Sequence, residues 1–177
     1  MVYFGQEVGE AGNENAGFGT HSRTSIFDYI GVPNHQRWMN GGKFDGGQLS
    51  QEEKDLRDFY KKLLNFSISS PALMGEFQEI QGINRQSTPG YDPGIYSFVR
   101  WSENQKLIVL TNFSDVSTST FELQIPSDII QKWGLKEGNY AVTDQLYKTS
   151  IVELQVVNGE GKIQIKMAPL ESFIYQL

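Results

Sequence analysis

The clearest pattern in the chain is an apolar stripe at helical spacing that begins just after residue 50. Ser50 is a favourable N-cap, and Glu53, three residues later, completes a capping box. Pro71 supplies the stop, because the residue before a proline is disfavoured in helical geometry. The pattern predicts a helix over 51–66 whose apolar face must bury against another surface. The stripe consists of Leu56, Phe59, Tyr60, Leu63 and Leu64.

From residue 75 onward the period of the pattern changes from helical to strand-like. Short segments with alternating apolar and polar residues are separated by Gly, Asn and Asp, which is typical of strands joined by turns. Their spacing predicts an antiparallel sandwich or barrel, with one helical turn over 128–134. The predicted strands are 76–81, 95–101, 106–113, 120–125, 140–147, 150–157, 162–168 and 171–177.

The first 74 residues are organised differently. Residues 2–4 are predicted to form the end of a buried strand, and residues 11–49 a long irregular loop. Loops of this length are uncommon in compact domains and are usually functional or disordered. One strand, one loop and one helix cannot bury both of their apolar faces. We therefore expect 1–74 to be the remnant of a larger domain and 75–177 to be a complete all-β domain.

Composition narrows the class of protein. Hydrophobic residues make up 38%, aromatic residues 12% and charged residues 20% of the chain, which is typical of a globular protein. The net charge is -6 without a Lys/Arg cluster, so nucleic acid is not expected as a partner. Cysteine is absent, which excludes disulfides and thiolate metal sites. No apolar run has the length of a membrane helix, and secreted, periplasmic and cytoplasmic locations all stay open.

Seven motifs stand out along the chain, five in the first part and two in the predicted strands. The first five are YFGQEVGE, SRTSIFDY, RW, LRDFYKKLLNF and PALMGEF, and the other two are LIVLTNFS and MAPLESFIYQL. In this order they resemble the end of the catalytic barrel and the following domain C of glycoside hydrolase family 13, the alpha-amylase family.

The resemblance implies a mainly β fold. It consists of an antiparallel Greek-key β-sandwich, domain C, preceded by the last strand, loop and helix of a (β/α)8 barrel. The chain would then be the C-terminal fragment of a retaining enzyme that hydrolyses or transfers α-linked glucans. The competing hypothesis is an unrelated stand-alone domain, in which residues 1–74 share one core with the sandwich.

The resemblance places the three catalytic carboxylates upstream of YFGQE, so we expect no catalytic residue in this chain. The nucleophile of the family lies in an Arg-x-Asp context, which the chain lacks. The third carboxylate lies in an Asn-His-Asp motif, whereas residues 34–36 read Asn-His-Gln. Glu7 and Glu10 are the alternative acid/base pair, but Glu10 is expected to be solvated, and no pocket separates their pKa values. The chain alone is predicted to be inactive.

The loop after the last barrel strand contains the first candidates for sugar binding. Loops in this position line the active-site mouth of a barrel enzyme. His21, Arg23, Asp28 and Trp38 are therefore candidate substrate contacts in the parent enzyme. The competing interpretation is a packed segment in which Arg23 pairs with Asp28 or Glu7.

Trp101 and Trp133 are candidates for a surface sugar platform, since the C–H faces of sugars stack on aromatic rings. The competing interpretation is that these rings are half-buried packing. A starch-binding β-sandwich module is therefore the alternative function, and it requires exposed, coplanar rings.

We expect no cofactor and no metal site in this chain, because His21 and His35 lack ligand spacing. The resemblance allows calcium in the longer parent enzyme. The expected partners are the rest of the catalytic barrel and α-glucan oligosaccharides.

Overall fold

The computed structural model describes residues 2–11, 32–147 and 151–177. The chain divides into two compact units, Met1–Asn65 and Phe66–Leu177. The boundary lies inside the long helix, earlier in the chain than the boundary predicted near residue 75.

The first unit is built from short helical segments and the start of one long helix. That helix begins with the predicted capping box: the Ser50 amide donates to Glu53 Oε2 at 2.9 Å, and the Glu53 amide donates to Ser50 Oγ at 3.2 Å. The predicted helix is confirmed, and it ends at Ser69, two residues before Pro71. The elements are 3-10 turns at Gln6–Val8 and Asn40–Gly42, α1 (Pro33–Met39) and α2 (Gln51–Ser69), which continues into the second unit.

The strand predicted over residues 2–4 is wrong. Val2 and Tyr3 have no regular structure and are 39% and 43% exposed. Phe4 lies in a turn that leads into the 3-10 segment. A strand is stabilised by hydrogen bonds to a neighbouring strand, and all strands in the described residues lie in the second unit.

Helix α2 has no buried residue over its 19 residues. Leu64 is 43% exposed and Ile68 is 86% exposed. Helices gain most of their stability in proteins by packing an amphipathic face. Helix α2 lacks a buried face of this kind among the described residues. No helix in the part of the chain that the structure describes is long and apolar enough to cross a membrane.

The second unit is one curled antiparallel sheet of eight strands, which confirms the predicted mainly β fold. The sheet order is β1-β2-β3-β8-β5-β6-β7-β4. Residues from both halves of the sheet share one core, including Val99, Ile108, Leu123 and Ile163. The strands are β1 (Glu76–Glu79), β2 (Ile95–Trp101), β3 (Lys106–Asn112), β4 (Ser119–Ile125), β5 (Gly138–Asp144), β6 (Ile151–Val157), β7 (Glu160–Met167) and β8 (Ser172–Gln176).

Two short helices cover the sheet. Helix α4 (Ser127–Lys132) confirms the predicted helical turn, and it buries Ile129 and Ile130. Helix α3 (Gln81–Ser87) was not predicted, because it has no apolar stripe and its one buried residue is Asn84. Ile129 and Ile130 of α4 belong to the same core as the inward-facing residues of the strands.

The two halves of the sheet are joined through β5 and β8, which share only two residue pairs. The fully buried carboxylate of Asp144 reinforces this junction by accepting three backbone hydrogen bonds. Its donors are the amides of Leu146 at 3.1 Å, Tyr147 at 2.8 Å and Ile174 at 3.3 Å. A buried carboxylate is tolerated when donors surround it in this way.

Candidate functional site

Of the loop candidates, Trp38 lies in the described part of the chain, at the end of α1. His21, Arg23 and Asp28 lie outside the described residues, so their predicted role stays a prediction. Trp38 is half-buried, and among the described residues its ring contacts Arg57 and Phe44. The guanidinium carbon of Arg57 lies 5.1 Å from its ring centroid, and the ring of Phe44 meets it edge-on at 5.9 Å.

The loop after α1 holds its backbone in an unusual conformation. Phe44 has φ of 56° and is 56% exposed, although bulky residues rarely adopt positive φ. Backbone hydrogen bonds fix the loop, since the amide of Phe44 donates to Met39 O and that of Gly46 donates to Trp38 O, both at 3.0 Å. The side-chain amide of Asn40 holds the pKa of the Asp45 carboxyl below its ordinary value.

These side chains surround an open cleft of about 380 Å³, the Trp38 cleft. It is lined by Trp38, Phe44, Leu49, Lys54, Arg57 and Asp58, among others. Aromatic rings beside charged groups can hold a sugar or a peptide. Sequence reasoning missed Phe44 and Arg57, because a phenylalanine in a glycine-rich loop and a charged residue on a helix carry no signal of their own.

A histidine between two carboxylates lies near the start of the chain. His35 Nε2 lies 3.6 Å from Glu7 Oε1, His35 Nδ1 lies 3.5 Å from Glu10 Oε2, and the ring stacks on Phe4 at 4.4 Å. Glu10 was predicted to be solvated, and this is wrong, because its side chain is 2% exposed. Its carboxylate accepts from the amides of Asn34 at 3.0 Å and His35 at 3.1 Å, at the start of α1.

Glu10 therefore acts as a structural carboxylate that binds the free amides at a helix N-terminus. In the described residues, no three His, Asp or Glu side chains lie close enough to hold a metal ion.

The ion pair of Arg37 and Glu53 links α1 to α2, and it predicts acid sensitivity. The hydrogen bond from Arg37, followed by that from the Ser50 amide, lowers the pKa of Glu53 below its ordinary 4.5. A lowered folded-state pKa gives stability that is present above the unfolded pKa and is lost as pH falls through the folded one. Glu53→Gln keeps a capping side chain but removes the charge.

We therefore expect Glu53→Gln to lower the thermal midpoint of the helical circular dichroism signal at about pH 7. The difference from the wild type should be smaller at about pH 3 than at about pH 7, because Glu53 takes up a proton as the pH falls through its lowered pKa. Glu52→Gln, an exposed neighbour in the same helical turn, is the control. An equal difference at both pH values would contradict a contribution from the charge.

Trp101 and Trp133 lie together in the second unit, but they do not form a platform. Their ring centroids are 6.5 Å apart and the planes are inclined at 68°. Trp133 is 5% exposed and belongs to the core, while Trp101 is half-buried at the end of β2. The Nζ of Lys132 lies 5.7 Å from the Trp101 ring centroid.

The two rings line an open cleft of about 530 Å³, the Trp101 cleft. Its other lining residues include Glu76, Ser102, Glu103, Lys106 and Lys132. Sequence reasoning selected the two tryptophans by residue type. It missed Ser102, since a serine in a turn between two strands is ordinary.

The sequence matches no protein-family profile and no curated protein. Solved structures of the alpha-amylase family are similar in fold. AmyP E221Q in complex with maltotriose has a TM-score of 0.51 and 22% identity, over 72% of this chain and 22% of AmyP. The maltogenic alpha-amylase AmyB from Thermotoga neapolitana has a TM-score of 0.50 and 16% identity, over 73% of this chain and 27% of AmyB.

An Anoxybacillus alpha-amylase has a TM-score of 0.48 and 20% identity, over 76% of this chain and 25% of that enzyme. The chain thus spans about a quarter of the length of the structures it matches. The matches to AmyP and AmyB show that this fold occurs within alpha-amylases, as the sequence resemblance implied.

Proposed function

We propose that this chain is the C-terminal part of an alpha-amylase-family glycoside hydrolase that acts on α-linked glucans. The observation that supports this most is the match in fold to AmyP, which covers 72% of this chain but only 22% of AmyP. The five motifs in the first 77 residues, in their order along the chain, support the same assignment independently. They are features of the sequence, whereas the match to AmyP is a match of backbone geometry.

In this proposal the chain is structural and does not cleave glucans by itself. A retaining glycosidase needs two carboxyl groups about 5–5.5 Å apart across the scissile bond. Glu10 is committed to the backbone of α1, so Glu7 lacks a free carboxylate partner there. The catalytic carboxylates belong to the longer enzyme, and this chain completes and stabilises their barrel.

The surface of the second unit supports a role as a partner of another domain. On the outer face of β1 and β2, Phe77 lies 5.5 Å from Phe98, and Phe98 lies 5.6 Å from Tyr96. We call these three residues the outer aromatic row. Phe77 is 50% exposed, and Met74, just before β1, is 90% exposed. Adjacent exposed apolar side chains mark interaction surfaces, and the occupant we propose is the rest of the catalytic barrel.

The first test is to extend the reading frame upstream of Met1 and to assay both products. We expect the upstream codons to encode a barrel containing Arg-x-Asp and Asn-His-Asp motifs. The longer enzyme should release reducing ends from soluble starch, whereas residues 1–177 alone should release none. An upstream region without a barrel, or a longer enzyme whose activity and stability survive deletion of residues 75–177, would overturn the proposal.

Phe77→Ser tests the outer aromatic row directly. In the longer enzyme we expect it to lower the thermal midpoint by several degrees, because a buried aromatic contact contributes about 1–3 kcal/mol. In the chain alone the same change should have a small effect, because the side chain is half-exposed. Phe113→Ser is the matched control, since Phe113 is 68% exposed. Equal shifts for both variants in the longer enzyme would argue against the docking surface.

The alternative, a starch-binding β-sandwich module, requires a flat aromatic surface. The steep angle between Trp101 and Trp133 does not supply one. The observation that favours sugar binding is instead the polar lining of the Trp101 cleft, which is compatible with either role of the chain.

A further inference from the structure

The segment just before β1 is fastened to the sheet on both sides of an exposed methionine. Arg100, on β2, donates from Nε to the carbonyl of Ala72 at 3.3 Å. Its Nη2 donates to the carbonyls of Leu73 and Gly75. The planar fork of an arginine suits several acceptors at once. The backbone on either side of Met74 is therefore held in place, while Met74 itself is 90% exposed.

A second set of hydrogen bonds comes from Gln105, in the turn between β2 and β3. Its Oε1 accepts from the Ser70 hydroxyl at 2.6 Å and from the Ala72 amide at 3.1 Å. Ser70 and Ala72 are both buried. The segment can leave the sheet only by breaking buried hydrogen bonds, which is destabilising. The exposure of Met74 is thus imposed by the fold.

The same guanidinium also supports the exposed ring of Phe77. Phe77 on β1 is paired with Arg100 on β2, so both side chains lie on the outer face of the sheet. The guanidinium carbon lies 5.8 Å from the centroid of the Phe77 ring, which is cation–π distance. One arginine therefore positions two exposed apolar side chains, Met74 and Phe77, which we call the Met74 anchor.

The outer face of β1 and β2 suits an uncharged partner. Its charged side chains are Arg100 and Glu79, which is paired with Phe98 of the outer aromatic row. The Glu79 carboxylate accepts a hydrogen bond from the Gly82 amide, and the Arg100 donors are used on carbonyls. The two charges are opposite, and both groups already have hydrogen-bond partners. An apolar surface can cover this face without leaving a single charge uncompensated.

We infer that Met74 is the residue that anchors this docking surface, and that Arg100 is its positioning residue. The Met74 side chain inserts into an uncharged, apolar socket on the partner, and Phe77 packs beside it. Unbranched methionine adapts to an irregular socket, and a backbone that is already fixed lowers the ordering cost of association.

The identity of the partner, the rest of the catalytic barrel, rests on the proposed function. The chain spans about a quarter of the length of the structures it matches in fold, so the larger part of such an enzyme is left to supply the socket.

Hydrogen peroxide is the first probe of the anchor. It adds one oxygen atom to the methionine sulfur and is itself reduced to water, and exposed methionines react first. In residues 1–177 alone, Met74 should be oxidised faster than Met39, which is 41% exposed, and much faster than the fully buried Met167. In the longer enzyme the oxidation of Met74 should slow several-fold, as measured by peptide mass spectrometry.

Two results of the peroxide experiment would overturn the inference. One is an equal rate of Met74 oxidation in the longer enzyme and in the chain alone. The other is slow oxidation in the chain alone at high concentration together with the mass of a dimer, which would assign the surface to a second copy of the chain.

Met74→Gln tests the apolar character of the contact. In the longer enzyme it should lower the thermal midpoint by several degrees, because a polar amide replaces a buried apolar contact. In the chain alone it should have little effect, and Met74→Leu should behave like the wild type in both proteins. Val116→Gln is the matched control, since Val116 is 81% exposed on another loop. Equal shifts for Met74→Gln and Val116→Gln in the longer enzyme would refute the anchor.

Arg100→Lys separates positioning from a purely structural role. Lysine keeps the charge but lacks the planar fork that reaches the three carbonyls. If Arg100 positions the anchor, Met74 in the longer enzyme should be oxidised at a rate closer to that of the chain alone. A purely structural arginine would lower the thermal midpoint of both proteins and leave Met74 protected in the longer enzyme.

The failure of this inference is distinguishable from the failure of the proposed function. A reading frame that encodes an upstream barrel, combined with an unprotected Met74, would refute the anchor alone. An upstream region without a barrel would overturn both.

Discussion

Replacing Asn84 by alanine is expected to destabilise the second unit by about 4 kcal/mol. Asn84 is fully buried, and its amide makes four hydrogen bonds. Its Nδ2 donates to the carbonyls of Ile80 at 2.8 Å and Gln124 at 2.9 Å. Its Oδ1 accepts from the Gln124 amide and the Thr88 hydroxyl, both at 2.8 Å. Alanine removes the partners of the Gln124 peptide groups and of the Thr88 hydroxyl, whereas the Ile80 carbonyl keeps its bond from the backbone amide of residue 84.

Urea unfolding followed by tryptophan fluorescence measures this loss, since Trp101 and Trp133 both lie in the second unit. Asn139→Ala is the matched control, because Asn139 is exposed on β5. Its effect should stay within about 0.5 kcal/mol. If the two variants lost similar stability, the buried amide would not have the importance that its hydrogen bonds suggest.

The reason for this large effect lies in the position of β4. It is the last strand in the sheet order, and it pairs with β7 on one side only. Exposed strand edges invite pairing with other chains. The amide of Asn84 exchanges two hydrogen bonds with the peptide groups of Gln124, as a neighbouring strand would do. Helix α3 thus covers part of this edge with a side chain in place of a strand.

The strands of this fold could be predicted from the sequence, whereas its edge protection could not. All eight strands follow the predicted segments, because inward-facing residues such as Phe121, Leu123 and Ile125 alternate with polar ones. Helix α3 lacks a comparable pattern. Helix α3 is held by a contact between Asn84 and Gln124, which lie 40 positions apart in the chain. Local periodicity in the sequence does not indicate a contact over such a distance.

The same distinction applies to the candidate sites. The sequence selected Trp101 and Trp133 by residue type, and the structure places both at one cleft. It could not predict that Trp133 is buried and steeply inclined, because ring orientation depends on the strands packed around it. Glu10 was mispredicted in the other direction. As an acidic residue in a polar segment it was expected to be exposed to solvent, but its side chain is buried. Its partners, the amides of Asn34 and His35, lie more than 20 residues away.

Gly90→Ala is expected to destabilise the second unit by about 3 kcal/mol through two separate effects. Gly90 has φ of 80°, which a residue with a side chain rarely adopts. An added Cβ would also lie 2.5 Å from the carbonyl oxygen of Thr120 on β4, closer than real contacts allow. Because that oxygen belongs to the backbone, relief requires the 88–91 turn to move away from the edge of the sheet.

Gly159→Ala separates the two effects. Gly159 has φ of 77°, but no heavy atom lies within 4 Å of an added Cβ. Gly159→Ala should therefore lower the free energy of unfolding only through backbone strain, by about 1–2 kcal/mol, in the same urea experiment. The excess loss in Gly90→Ala measures the close approach of the turn to β4. Equal losses of unfolding free energy in the two variants would mean that the 88–91 turn can move away from β4 without cost. Asn84 would then be the main restraint that keeps α3 on this edge.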